Sequence, residues 1–419
     1  MNDLIALRRE FHKYPEAGWT EFRTTARIIE ELEALGLSVK YGREIHEPEA
    51  MRGLPAPEEL GDCWQRALTE TGRFDLLDRM WGGFTGCVTV IEGALAGETV
   101  AVRVDIDCNE VAEKKTADHR PAAEAFASVH DGLMHACGHD AHAAIGIGLA
   151  RELVRRRESL RGRVVLVFQP AEEGLRGAAS MVRAGVFDGC RKLYGIHVGL
   201  LDAPVGTVAA STEGLLAGSK FDVTFHGEAA HAGLSPEQGR NALAAAARAT
   251  LEMLKIPPAA EGVSRVNVGT LRAGSGRNVI PAEAVMQAEC RASTGPENGR
   301  LEAECIRLCR AAAEQYGCTC EVTFAGGADS GKCDAALTAR TAEILKRTEG
   351  VTDVLPFAEV SVCEDITTAM AAVRAQGGEA TELVAAMPLA APHHNGGFDV
   401  DEDVIGLGVR VLAALVLEP

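Results

Sequence analysis

Apolar residues recur at i, i+3 and i+4 through ARIIEELEALGL, which predicts an amphipathic helix from Ala26 to Leu37, closed at Gly36. The pattern then shortens. Apolar runs at Cys87–Glu92, Thr99–Asp107, Val164–Gln169 and Leu193–Val198 read as strands, with a helix from about Ala141 to Arg156. Strands alternating with helices predict an α/β domain. From Lys220 the order changes to strand (Lys220–Phe225), helix (Asn241–Leu254), two strands (Val263–Leu271, Ala284–Arg291), helix (Leu301–Tyr316) and strand (Cys320–Phe324). This β-α-β-β-α-β succession predicts a ferredoxin-like α+β unit over 217–327, inserted into a catalytic domain made of 1–216 and 328–419. Residues 45–80 are rich in Glu, Pro and Arg and fit neither period.

The side chains capable of chemistry cluster just after the apolar runs. Asp105 and Asp107 end one, Glu172 and Glu173 follow the next, and His197 closes a third. Sites in open α/β sheets gather at the carboxyl ends of strands, so one shared site is expected. HACGHD sets Cys137 and His139 two apart before a helix, where both can face one point, and Asp140 is placed to cap that helix. QPAEEG offers adjacent carboxylates, one to bind metal and one to move a proton, although alone such a pair equally well caps the next helix. PHHN offers His393 or His394, and spacing does not choose between them. His135 and His142 read as packing or supporting groups.

Composition narrows the function. At 419 residues two domains are expected, and 42 basic against 60 acidic residues give a net charge of −18, which excludes nucleic acid and anionic membrane surfaces as partners. The N-terminus lacks a continuous apolar run, and the twelve cysteines read as reduced thiols of a cytoplasmic protein.

RREFHKYPEAGWTEFRTT, MHACGHDAH, FQPAEEG, GIHV, FHGEAAHAGLSPEQGRNAL, GRNVIP and HHNGGFDVDED occur in this order. In this the chain resembles the amidohydrolase branch of the co-catalytic dinuclear metallopeptidases, which includes hippurate hydrolases, auxin-conjugate hydrolases and aminoacylase relatives. RVDIDCNEV and HRPAAEAFASVHDGLMHACGHD, with the segment around Trp64 and Trp81, most resemble its aminobenzoyl-glutamate hydrolase subgroup. The resemblance implies that Cys137, His139, Glu173, His197 and His394 bind two divalent metal ions, zinc or manganese. It makes Glu172 the general acid/base and His231 and Asn278 substrate- or transition-state-binding groups. Asp105 joins the catalytic set, and Arg291 and Arg277 are candidates for gripping a substrate carboxylate. It further implies a homodimer through the inserted lid domain, with a paralogous second chain the other partner to consider. The expected activity is hydrolysis of N-acyl or N-aroyl amino acids, p-aminobenzoyl-glutamate leading. A dipeptidase or carboxypeptidase of the same family, or a catalytically silent partner chain, are the alternatives.

Two departures stand out. Asp107, Cys108, Asn109 and Glu110 replace the branch's common Asp-Ala-Leu-Pro, and Gly396 stands where a Pro commonly follows the final His. In other branches the Asp105 equivalent orients a His two residues earlier, where this chain has Arg103. GGADSGK (Gly326–Lys332) nearly spells a phosphate loop, but Cys333 replaces its Ser or Thr and Asp329 is acidic. Cys305, Cys309, Cys318 and Cys320 allow a second zinc site, with core thiols the blander reading.

Overall fold

The computed structural model describes residues 2–418. They divide into two compact units, one of residues 1–214, 331–360 and 364–419, the other of 215–330 with 361–363. The architecture is α/β.

The first unit is built on an eight-stranded sheet. Its strand order is Val39–Tyr41, Cys87–Glu92, Arg161–Gln169, Leu95–Asp105, Lys192–Asp202, Glu379–Met387, Thr207–Ala209, Asp353–Leu355. The four strands from Arg161–Gln169 to Glu379–Met387 pair in parallel. Their apolar runs are continuous rather than alternating (VVLVF, ELVAAM), and almost every residue is buried, as in a sheet covered on both faces. The helices Asn2–Lys13, His139–Arg155 and Asp403–Leu417 pack together, as do Gly177–Arg183 and Ile366–Ala375. Residues 45–80 contain two helices, Pro57–Thr71 and Phe74–Met80. Their short apolar stripes (Leu60, Ala67; Leu76, Leu77, Met80) are diluted by charge, which hides the period in sequence.

The second unit runs strand, helix, two strands, helix, strand. Its sheet order is Thr319–Ala328, Ala217–His226, Glu283–Ala292, Ser264–Ala273, all neighbours antiparallel. Phe221, Val223 and Phe225 form a core with Ala245, Ala249 and Met253 of one helix and Leu301, Cys305 and Cys309 of the other. Both helices are capped locally, Asn241 accepting from the Ala244 N–H and Thr294 from that of Glu297. The opposite sheet face is polar, carrying Lys220, Asp222, Gln287, Glu289 and Arg291.

The cysteines of this unit sit in its core. Cys305 Sγ lies 3.7 Å from Cys290 and Cys309 Sγ 3.6 Å from Met253 Sδ. Among the described residues, no group of side chains placed to hold a metal includes them. Gly326–Ala328 belong to a strand, and Asp329 accepts from the Ser330 N–H, so no glycine loop opens onto a helix there.

Candidate metal centre

Cys137, His139, Glu172, Glu173, His197 and His394 all lie in the first unit, and their donor atoms converge. Cys137, His139 and His197 form one group with all donors within 4.8 Å; Cys137, Glu173 and His394 form a second; His139, Glu172 and Glu173 a third. Cys137 thus belongs to two groups at once. Its Sγ lies 3.5 Å from His197 Nε2, and His394 Nε2 lies 3.4 Å from Glu173 Oε2.

Backbone contacts fix which histidine atoms are available. Nδ1 of His139 meets the Asp107 carbonyl at 3.0 Å and Nδ1 of His197 the Val198 carbonyl at 2.9 Å. A carbonyl only accepts, so each Nδ1 carries a proton and each Nε2 is the nitrogen left to face inward. His142 differs. Its Nδ1 donates to Asp105 at 2.5 Å, and its Nε2 accepts the Val198 N–H at 2.9 Å, so both nitrogens are occupied and it cannot also ligate. The PHHN choice resolves in the same way. His393 Nε2 donates to the Gly199 carbonyl at 2.8 Å, whereas His394 faces Glu173 and Cys137.

The donors are carried on a strained frame. Ala171 and Leu175, at φ 55° and 57°, bracket the Glu172–Glu173 pair, and His394 itself sits at φ 59°. Non-glycine residues in the left-handed region cost free energy and persist where surrounding contacts hold them. Here the Leu175 N–H bonds the Glu172 carbonyl and the His394 N–H the Ala136 carbonyl. Asn109 in turn accepts the Ala136 N–H and forms a two-residue bridge with Met134, which ties the DCNE segment to the HACGHD loop. Gly396 is explained by the same neighbourhood. A Cβ there would fall 2.4 Å from the Ala112 carbonyl oxygen, and the Gly396 carbonyl accepts the Lys114 N–H, so no bulkier residue fits.

Asp140 does not cap its helix. Gly138, at φ 93°, takes the cap position. The Asp140 carboxylate splits its oxygens, Oδ1 accepting the Ala141 N–H at 2.9 Å and Oδ2 taking Arg8 (2.7 Å) and His12 (2.8 Å), because a fully buried acid needs charge partners. Arg8 also holds Asp399, five residues after His394, at 2.9 Å, and His12 reaches Glu113 at 3.0 Å. The N-terminal helix therefore pins both the HACGHD helix and the segment after His394.

Asp105 is fully occupied: one oxygen takes His142, the other Arg103 at 2.5 Å. Burial alone would raise its carboxyl, but His139, Arg103 and His142 hold it well below the usual carboxylate range. Arg103 continues to Gln169 at 3.0 Å and Asp365 at 2.8 Å. Nothing in the sequence pattern singled out Arg103, Glu364 or Asp365 as part of the site. Glu364 is buried with Oε1 3.9 Å from His197 Nε2, and Asp365 accepts the Ala178 N–H, fastening the helix after the Glu172 loop. The one signal available for the latter two is an acidic pair between apolar residues in SVCEDITTA.

Glu172 is 4% exposed, and its Oε1 is buried without a hydrogen-bond partner. Burial first, then the charges of Asp365 and Glu173, push its carboxyl well above the usual range. A carboxylate so placed binds protons readily.

His231, Arg277, Asn278 and Arg291 lie in the second unit. The Asn278 carbonyl accepts the Ala232 N–H at 3.1 Å and Val279 bridges His231, so the His231 and Arg277–Asn278 loops stand side by side. His231 Nδ1 accepts the N–H groups of Gly233 and Leu234 at 3.2 and 3.0 Å, which makes Nε2 the protonated nitrogen, pointing a donor outward. Leu234 is 82% exposed. Arg291 stands apart on the polar sheet face, its guanidinium doubly bonded to Glu289 at 3.0 Å.

One thiol, three imidazoles and a carboxylate converge here, a donor set that could hold divalent metal ions. Residues 101–418 match the model of the peptidase family M20/M25/M40. The chain belongs to that family. It is 41% identical over 411 residues to a p-aminobenzoyl-glutamate hydrolase chain of Escherichia coli (strain K12), covering 98% of this chain and 94% of the relative. It is also 41% identical over 416 residues to indole-3-acetyl-aspartic acid hydrolase of Enterobacter agglomerans, covering 99% and 95%. Among solved structures, the aminobenzoyl-glutamate utilization protein of Klebsiella pneumoniae superposes with a TM-score of 0.84 at 34% identity, covering 99% and 95%. This M20 chain is therefore an enzyme of the hydrolase class. No described helix is long and apolar enough to cross a membrane.

Proposed function

We propose that this M20 chain is a metal-dependent amidohydrolase that splits the amide bond of N-acyl or N-aroyl amino acids, p-aminobenzoyl-glutamate being the leading candidate. The observation that carries the reading is Glu172, a buried carboxylate with an unpartnered oxygen beside the converging donors. Cys137, His139, Glu173, His197 and His394 would hold two divalent ions. A thiolate with imidazoles suits zinc, while the carboxylate and family likeness leave manganese equal to it. Bound ions of this kind make a water nucleophilic near neutral pH and polarise the carbonyl.

The protein supplies the rest. Glu172 takes the proton of the attacking water and returns it to the leaving nitrogen, a step its raised proton affinity favours. Asp105, fixed by Arg103 and His142, does not touch substrate in this scheme; it positions His142, which holds the Val198 backbone beside His197. The Nε2–H of His231 donates to the oxygen that gains charge. Of the two arginines, Arg291 has its charge spent on Glu289, which leaves Arg277, next to Asn278 in sequence, as the candidate for the substrate's α-carboxylate.

Two relatives named for amides of glutamate and aspartic acid place a second carboxylate on the amine side of the substrate. The twelve free thiols suit a reducing compartment, the cytoplasm. A homodimer in which His231 serves the partner's metal centre completes the reading. The test is steady-state hydrolysis of p-aminobenzoyl-glutamate, its α-carboxamide and a simple dipeptide by the purified chain with zinc or manganese added. Cleavage of the acid at least about 100-fold faster than the α-carboxamide is expected, because the amide forfeits the charge-assisted pairing with Arg277. Faster cleavage of the dipeptide would turn the assignment to a dipeptidase.

A further inference from the structure

We infer that Arg176 reads the side-chain carboxylate of a dicarboxylic leaving amino acid, which makes N-acyl glutamates and aspartates the substrate class; this rests on the amidohydrolase reading above. Arg176 follows the Glu172–Glu173 pair within the turn that Ala171 and Leu175 hold in left-handed conformation. Its guanidinium lies over Gly174, the residue after Glu173. A Cβ on Gly174 would fall 1.9 Å from Arg176 Nε and 2.6 Å from Cζ, so glycine is what lets the cation lie against this loop.

That cation differs from the fully buried arginines of this chain. Acidic residues outnumber basic ones 60 to 42, and the buried arginines Arg8 and Arg103 are each paired with two or more carboxylates. Among the described residues, no carboxylate lies within ion-pair distance of Arg176. Its one hydrogen bond is from Nη1 to the Gly53 carbonyl at 2.8 Å, and its Nε is buried with no partner. The Gly53 contact fixes the plane of the fork and, with Nε buried against Gly174, leaves Nη2 as the nitrogen a carboxylate can reach. Gly53 is itself held, since the neighbouring Arg52 carbonyl accepts from the Trp19 indole at 2.7 Å. The cation is therefore oriented before any ligand arrives, which lowers the cost of ordering it on binding.

The bland alternative is that Arg176 only pins the Gly53 loop. The two are separated by the substrate, not by the variant alone. Wild type and Arg176→Met are assayed on N-(4-aminobenzoyl)-glutamate and on N-(4-aminobenzoyl)-norvaline, which has the same carbon chain without the distal carboxylate. Wild type should favour the glutamate by about 100-fold or more in kcat/KM, and the variant by less than about 3-fold. Arg176→Glu should go further and prefer the N-aroyl ornithine over the glutamate. A pin of the Gly53 loop would lower both rates together and leave the ratio intact, overturning the inference. So would a wild type that cleaves glutamate and norvaline amides equally, a result that needs no variant to fold. A wild type that cleaves neither, with metal bound, would instead overturn the amidohydrolase reading, and this inference with it.

Discussion

His46 offers a stability prediction whose size follows from its surroundings. It is buried in the first unit, with Nε2 2.7 Å from the Thr85 carbonyl and Nδ1 2.7 Å from the Ser180 hydroxyl. Burial lowers its pKa from 6.5 to about 4, an effect the Thr85 carbonyl only partly offsets. The unfolded chain, with an ordinary histidine, therefore binds a proton near pH 6.5 that the folded chain refuses until about pH 4. Since stability rises with pH wherever the unfolded state holds more protons, stability is complete above about 6.5 and falls as pH drops through that window. The full loss is about 3 kcal/mol, of which about 2 kcal/mol is gone by about pH 5. His46→Gln keeps polar atoms in place but does not titrate, so its gap from wild type should narrow by about 2 kcal/mol between about pH 7.5 and 5. All three tryptophans (Trp19, Trp64, Trp81) lie in the first unit, and the Trp19 ring centroid is 5.6 Å from that of His46. Urea unfolding followed by tryptophan fluorescence thus reads the relevant unit. Taking the difference between the two proteins removes the contribution of other buried histidines such as His135. A gap that stays constant within about 0.5 kcal/mol over this range would refute the argument that burial keeps His46 neutral.

Glu172→Gln should bind metal as wild type does while kcat falls by about two to four orders of magnitude, whereas Cys137→Ala should lose metal as well as activity; elemental analysis beside initial rates distinguishes them. A Glu172→Gln chain keeping more than about a tenth of the activity would remove Glu172 from proton transfer. If His231 serves the partner's centre, mixing Glu172→Gln with His231→Ala under conditions of dimer exchange should restore about a quarter of wild-type activity, because half the dimers are mixed and each has one intact site. No recovery despite demonstrated exchange would place His231 in its own chain's site or outside catalysis.

What sequence made legible were features with a local cause. The strand Cys87–Glu92 is bounded as its apolar run is, because a strand buried on both faces must be apolar throughout. Cys137 and His139 are two apart, and Glu172 and Glu173 are adjacent, so their convergence follows from one turn each. Spacing left His393 against His394 open, because both neighbours look alike until the Gly199 carbonyl claims His393.

The residues whose roles the sequence did not reveal act through distant partners. Asp140 precedes an alanine-rich helix and looks like a cap, yet Arg8 and His12, about 130 positions earlier, draw it away. Arg103 looks like an interruption of an apolar strand. In the fold it is what allows Asp105, Gln169 and Asp365 to share one buried site, because those polar groups without a guanidinium would leave unpaired charge in the core. Glu364, next to Asp365, stands 3.9 Å from His197. The metal donors themselves are few and local, while the scaffold that orients them spans the first unit from Arg8 to Glu402. That asymmetry explains why a family likeness points to candidate donors readily but says little about substrate. Ligand geometry is set by short turns such as those of HACGHD and QPAEEG. Discrimination falls to side chains such as Arg176, whose meaning depends on a glycine two residues before it and a carbonyl more than a hundred residues away.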